Sequence, residues 1–129
     1  MYFSDSAFVS LAIGSGEATV AILTGYVHTC AISASGALNC WGNNSDGQLG
    51  QGDTSAHSGI VSVSNLTGTG GVIDAAVGAN NALWYLIFNN GFTCALSADG
   101  STSCFGDNTY GQLGNGGTTD SSSPVAVSF

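Results

Sequence analysis

Residues 40–52 read CWGNNSDGQLGQG, and residues 104–116 read CFGDNTYGQLGNG. Each phrase opens on a cysteine and an aromatic, passes through small polar residues and closes around Gly-Gln-Leu-Gly. Laying the chain on itself at a shift of 64 residues puts Cys30 on Cys94, Cys40 on Cys104, Gly36 on Gly100 and Trp41-Gly42 on Phe105-Gly106. The same shift puts Gly47-Gln48-Leu49-Gly50 on Gly111-Gln112-Leu113-Gly114, and Gly52 on Gly116. So many coincidences mark an internal repeat, the signature of stacked or radially arranged supersecondary units.

Within each copy the pattern is that of β-structure. Thr29–Ser33 and Ala37–Trp41 flank Ala34-Ser35-Gly36, a three-residue hairpin loop with glycine where a left-handed residue is required. The second copy repeats it with Ala98-Asp99-Gly100. If Ser33 pairs with Ala37, counting outward sets Cys30 opposite Cys40 at a non-hydrogen-bonded site, where Cα atoms approach most closely. The same count sets Cys94 opposite Cys104. Four cysteines allow three pairings, and this register favours Cys30–Cys40 with Cys94–Cys104. Four buried free thiols are the alternative; zinc is disfavoured, because a Cys-x9-Cys spacing on strands offers no tight ligand pair. Two disulfides imply an oxidising setting, extracellular or at the cell surface.

These residues closely resemble the regulator of chromosome condensation repeat, the unit of a seven-bladed β-propeller. HTCAISASGALNCWGNNSDGQLGQG and FTCALSADGSTSCFGDNTYGQLGNG carry the likeness in its most recognisable half, and the versions with paired cysteines are similar to those of secreted bacterial proteins. Val20–Gly25, Val61–Thr67, Val72–Gly78 and Pro124–Val127 resemble the connecting half. The likeness implies an all-β chain of two propeller-type blades of antiparallel strands, a partial or open β-propeller, plus N-terminal strands. On this reading residues 1–27 are N-terminal strands able to complete a blade, 28–78 the first repeat, 79–91 an apolar insert and 92–129 a second, incomplete repeat. The repeat-structural positions are Trp41, Gly42, Gly47, Leu49 and Gly50, with Phe105, Gly106, Gly111, Leu113 and Gly114 in the second copy. The chain departs from the pattern in its insert, ALWYLIFNN from Ala82 to Asn90, which reads equally as an extra strand or lateral contact and as an ordinary buried strand. It also has only two units, and two blades cannot close a ring of seven.

Composition narrows the function. Apolar residues make up 43% of the 129, but charged residues only 6%, against roughly 25% in an average chain. There is no lysine or arginine, and the net charge is −8. Three readings of that compete: an extracellular structural protein with a bland surface, a piece of a longer protein, or an incomplete sequence. Without cations the chain is poorly suited to phosphate backbones, so nucleic acid is not an expected partner, and attraction to anionic membranes is disfavoured likewise. A surface this poor in charge lacks a common defence against self-association. No secretory leader is visible, since the apolar run Phe8–Ile13 has no basic flank. No apolar run approaches the roughly 20 residues of a membrane helix, so no membrane insertion is expected.

Candidate chemistry is sparse. His28 precedes the first cysteine strand and reads as a structural histidine, the second copy having Phe92 there; His57 reads as a loop residue. Two histidines assemble no nucleophile–base pair and no metal cluster. Asp46, Asp53, Asp107 and Asp120 lie in the glycine-rich loops, but their spacing is not that of a calcium loop, and turn formation explains them more simply. Gly-Gln-Leu-Gly is not a phosphate loop, because no lysine follows it. Asn43-Asn-Ser and Asn65-Leu-Thr are glycosylation sequons in a secreted chain. No catalytic residue, cofactor or metal is expected.

The family this chain resembles hosts nucleotide exchange on a small GTPase, chromatin contact and inhibition of a β-lactamase, and fold does not choose among them. Chromatin contact conflicts with the charge, and exchange needs a full propeller face. The expectation is an extracellular structural or assembly protein, not an enzyme, self-associating through blade edges into a filament or ring. N-terminal strands at Ala7–Ile13 and Ala18–Leu23 would complete a neighbour's open blade. The alternative is a binding module, a fragment of a larger secreted propeller that recognises a protein or glycan.

Overall fold

The computed structural model describes residues 17–80 and 90–129. These form two four-stranded antiparallel sheets, each a simple meander. The first, blade 1, runs β1 (Thr19–Thr24), β2 (His28–Ser33), β3 (Leu38–Gly42) and β4 (Val61–Ser62). The second, blade 2, runs β5 (Val72–Asn80), β6 (Asn90–Ser97), β7 (Thr102–Gly106) and β8 (Ser121–Ala126).

The hairpins follow from the turn chemistry. Gly36 and Gly100 adopt φ of +85° and +89°, values that a side chain resists, and each N–H bonds the carbonyl that opens its turn, Ser33 or Ser97, at 2.9 Å. The register then places Cys30 opposite Cys40 and Cys94 opposite Cys104. Their Cα atoms are 4.0 and 4.1 Å apart, and both pairs are disulfide-bonded, leaving no free cysteine.

Blades and sequence repeats are offset. Val72–Asn80 lies mostly in the first repeat by sequence, yet it pairs with β6 and opens blade 2. The second repeat therefore completes a four-stranded sheet with a borrowed strand. Thr19–Thr24 plays the same part in blade 1, pairing with β2 from Thr19↔Ser33 to Thr24↔Thr29. A strand at Ala18–Leu23 is thus used within its own blade. The other strand expected for donation, Ala7–Ile13, lies outside the described residues. So does nearly all of the apolar insert, though β5 and β6 stay paired up to Asn80↔Asn90 beside it. Pro124 falls in the edge strand β8, where a missing N–H costs no ladder bond.

The core sits between the two sheets. Cys30, Ile32, Leu38, Cys40 and Leu49 of blade 1 pack against Val72, Ala95 and Phe105 of blade 2. Because neighbouring residues on a strand alternate in direction, β2 and β3 send Cys30, Ile32, Leu38 and Cys40 toward blade 2 and Thr29, Ala31, Asn39 and Trp41 the other way. In blade 2, Thr93, Ala95, Ser103 and Phe105 face blade 1, while Cys94, Leu96 and Cys104 face away.

Candidate functional site: the blade-to-blade contact surfaces

Each Gly-Gln-Leu-Gly loop is built around one buried asparagine. Leu49 N–H donates to Asn44 Oδ1 at 3.0 Å, and Asn44 Nδ2 donates to Ser55 O (2.8 Å) and Asp53 Oδ1 (2.9 Å). Asn108 does the same work in the second copy, accepting from Leu113 N–H at 3.0 Å and donating to Thr119 O (2.9 Å) and Gly117 O (3.1 Å). Gln48 and Gln112 brace the loops through Asn43 Oδ1 (2.9 Å) and Asp107 Oδ2 (2.7 Å). The leucines Leu49 and Leu113 are thereby fixed at 0% exposure. Asn108→Ala would leave the Leu113 N–H and two or more carbonyls without partners at a buried position. The expected loss is about 3 kcal/mol, read as a shift in the urea midpoint.

The carboxylates serve the same framework. Asp107 Oδ1 accepts from Thr109 N–H at 3.2 Å, and Asp120 Oδ1 from Asn108 N–H at 2.8 Å. Asp53 Oδ1 meets His57 Nε2 at 3.0 Å, and that contact leads in holding its carboxyl below the usual range. Asp46 reaches across to blade 2, accepting from Gly91 N–H at 3.1 Å. Burial raises its pKa, the Gly91 bond opposes this, and the nearby Asp107 and Asp120 charges add to the rise. Among the described residues no group of His, Cys, Asp and Glu is arranged to hold a metal ion. Of the two sequon asparagines, Asn43 is half-buried with its carbonyl engaged by Ser45, and Asn65 is exposed.

The contact between blades is a knob in a socket with a polar chain beside it. Phe105 is 0% exposed and lies over Gly50, where an added Cβ would fall 2.9 Å from Phe105 Cε2 and 3.0 Å from Val63 Cγ1. Only glycine leaves room for the ring. Thr93, also 0% exposed, donates its hydroxyl to Gln48 O at 2.9 Å. Its hydroxyl proton is therefore committed, so His28 Nε2, 2.8 Å away, carries the proton and donates to it. The Gly52 N–H to Ser122 O bond (2.8 Å) ties the loop of blade 1 to β8.

His28 is 2% exposed, and its Nδ1 has no partner among the described residues. Burial depresses its pKa to about 4. The folded state thus keeps the ring neutral while the unfolded chain takes up a proton below about pH 6.5. Stability is full above that pH and falls as pH drops toward 4, by about 3 kcal/mol in all. Asp53 and Asp99, whose pKa values are lowered, lose their contributions only at more acid pH. Denaturant melts between pH 7 and 4.5 should show this slope, and His28→Gln should flatten it.

The repeat-structural positions divide between covered and open surfaces. Gly47, Leu49, Gly50, Phe105, Gly106 and Leu113 are buried, whereas Trp41, Gly111 and Gly114 are half-buried and Gly42 is exposed. Their chemistry is the same in both copies. What differs is whether a blade lies against them.

Two models of the regulator of chromosome condensation (RCC1) repeat match the chain, one over residues 19–48 and the other over 35–83 and 99–129. The chain belongs to the RCC1 repeat family. It is 35% identical over 103 residues to the RCC2 homolog of Danio rerio, which covers 79% of this chain and 18% of the relative. The ultraviolet-B receptor UVR8 of Arabidopsis thaliana is 33% identical over 88% of this chain and 23% of its own length. The E3 ubiquitin-protein ligase HERC2 of Homo sapiens is 33% identical over 87% of this chain and 2% of its own. The chain thus spans less than a quarter of each of these relatives. Among solved structures, yeast Prp20p superposes with a TM-score of 0.71 at 16% identity over 92% of this chain and 27% of its own. Human WBSCR16 gives 0.64 at 20% identity over 85% and 26%. The RCC1 fold is therefore shared, as an open pair of blades. Yeast RCC1, the same Prp20p, has protein partners: it binds Gsp1p and histones, and its structure with Kap60 bound is known.

Proposed function

We propose that this chain is a non-enzymatic assembly protein of the extracellular space or cell surface, associating with further copies of itself through its blade ends. The observation that carries this reading is the apolar surface at those ends. Ile22, 58% exposed, shares the outer side of blade 1 with the half-buried Trp41, one strand intervening. On blade 2 the outer side carries a shallow depression of about 180 Å³ lined by Ala76, Cys94, Leu96 and Thr102 among others. Apolar surface of this kind marks interfaces, and the net charge of −8, which opposes contact between copies, is screened at physiological salt. Two disulfides support the extracellular setting. Negative-stain imaging of the purified chain tests the reading, with fibres or rings expected and a field of isolated small particles against it.

The second reading is a binding module for a protein or glycan, its remaining blades supplied by a longer chain. It is favoured by the small share of each relative that the chain spans and by the binding of yeast Prp20p to Gsp1p, histones and Kap60. Lacking lysine and arginine, such a module would recognise uncharged or cationic surfaces, not nucleic acid.

A further inference from the structure

Each blade carries the same contact elements on the same two sides, and among the described residues one of each is used within the chain. Blade 1 offers blade 2 a socket of Gly50 and Val63, filled by the Phe105 ring, which supplies two of the three atoms nearest a Cβ on Gly50. Blade 2 offers its own outer side the equivalent pair, Gly114 and Val127. A Cβ on Gly114 would lie 3.0 Å from Val127 Cγ1, and its three nearest atoms all belong to Val127. Burial follows the same division: Gly47, Gln48 and Gly50 are buried, while Gly111, Gln112 and Gly114 are half-buried. The knob side is divided likewise. Phe105 and Thr93 are 0% exposed, whereas their repeat partners Trp41 and Thr29 are half-buried on the outer side of blade 1; the difference is confined to these two positions, since Ala31 and Asn39 on that side are 0% and 3% exposed.

We infer that the Trp41 face of one copy docks on the Gly114–Val127 face of a second copy, in the register that seats Phe105 on Gly50 and Val63 inside the chain. In that register the Thr29 hydroxyl donates to the neighbour's Gln112 carbonyl, as Thr93 does to Gln48 within the chain. The occupant is a second copy because the covered interface is made of these same two surfaces, and the docked pair continues it. No residue of the knob or socket is charged, so the contact needs no cation. The interface is heterologous, knob side to socket side, and extends into a ring or an open filament according to whether the rotation closes. This inference rests on the self-assembly reading above and adds polarity, register and the residue that anchors it.

Two variants block opposite faces. Trp41→Ala removes the knob, and Val127→Asp places a carboxylate in the socket. Both residues are half-buried, and circular dichroism with non-reducing mass checks fold and disulfides. Each variant alone should weaken self-association by roughly 30-fold or more, the effect of losing a central anchor. An equimolar mixture should form a dimer of one copy each that grows no further, since one variant keeps the knob and the other the socket. Trp41→Phe, carrying the residue of blade 2, should assemble as the parent chain does. Variants that assemble alone at the parent's concentration, or a mixture without the mixed dimer, overturn the knob-and-socket register while leaving self-assembly standing. A parent chain that does not assemble removes the self-assembly reading itself, and this inference with it.

Discussion

Phe105→Ala should lower the stability of the chain by about 3–5 kcal/mol, the range for emptying a buried aromatic site. The ring is 0% exposed and packs on Gly50 in the core between the blades. The surroundings relax poorly, because the hydrogen bonds of Asn44 hold the Gly50 loop in shape. A domain of this size is stable by only about 5–15 kcal/mol, so the variant should sit near its unfolding threshold at physiological temperature. Trp41→Ala, at the same position in the other repeat, should cost less than half as much, because it is only half-buried and no blade among the described residues covers it. Chemical denaturation at high dilution, where assembly adds nothing to stability, compares the two. Equal losses would contradict the assignment of Phe105 to a covered face and Trp41 to an open one.

The two disulfides should likewise differ in consequence. Each closes a loop of sequence separation 10, for which chain entropy alone gives about 2.5–3 kcal/mol. Cys30 and Cys40 are both 0% exposed and belong to the core between the blades. Replacing both by alanine removes packing as well as the cross-link, for a loss of about 4 kcal/mol. Cys94–Cys104 faces away from blade 1; Cys104 is 2% exposed, but Cys94 is half-buried and gives reductant its access. Its double alanine variant should lose the entropic share and little packing beyond that of Cys104, about 3 kcal/mol in all. Under limiting reductant the Cys94–Cys104 bridge should open first, since a thiolate must reach the sulfur to attack it. Mass mapping of alkylated cysteines reads the order directly; prior opening of Cys30–Cys40 would contradict the burial assigned to it.

Much of this architecture can be read from the residues. The hairpin glycines, the opposition of Cys30 and Cys40, and the family all follow from local turn chemistry and one internal shift. The partition of strands into sheets does not. A sequence repeat has no marked beginning, so nothing in Val72–Asn80 says that its hydrogen bonds run forward to β6 and not back to β4. Asn44, Asn108, Gln48 and Gln112 also align between copies, but asparagine in a glycine-rich loop reads as a turn former until its carbonyl and amide partners are seen. The Asp46 bond to Gly91 left no periodic trace, because Tyr110 occupies the corresponding place in the second copy. The sidedness of Trp41 and Phe105 is a property of neighbouring blades, which local pattern cannot encode.

Sedimentation velocity over a wide concentration range tests the central claim most directly, that the outer faces of this two-blade chain recognise each other. A chain of 12.8 kDa with complementary open faces should show sedimentation coefficients that climb with concentration toward many-copy species, and climb further as salt screens the repulsion between copies of net charge −8. A single species of monomer mass at every concentration would contradict it.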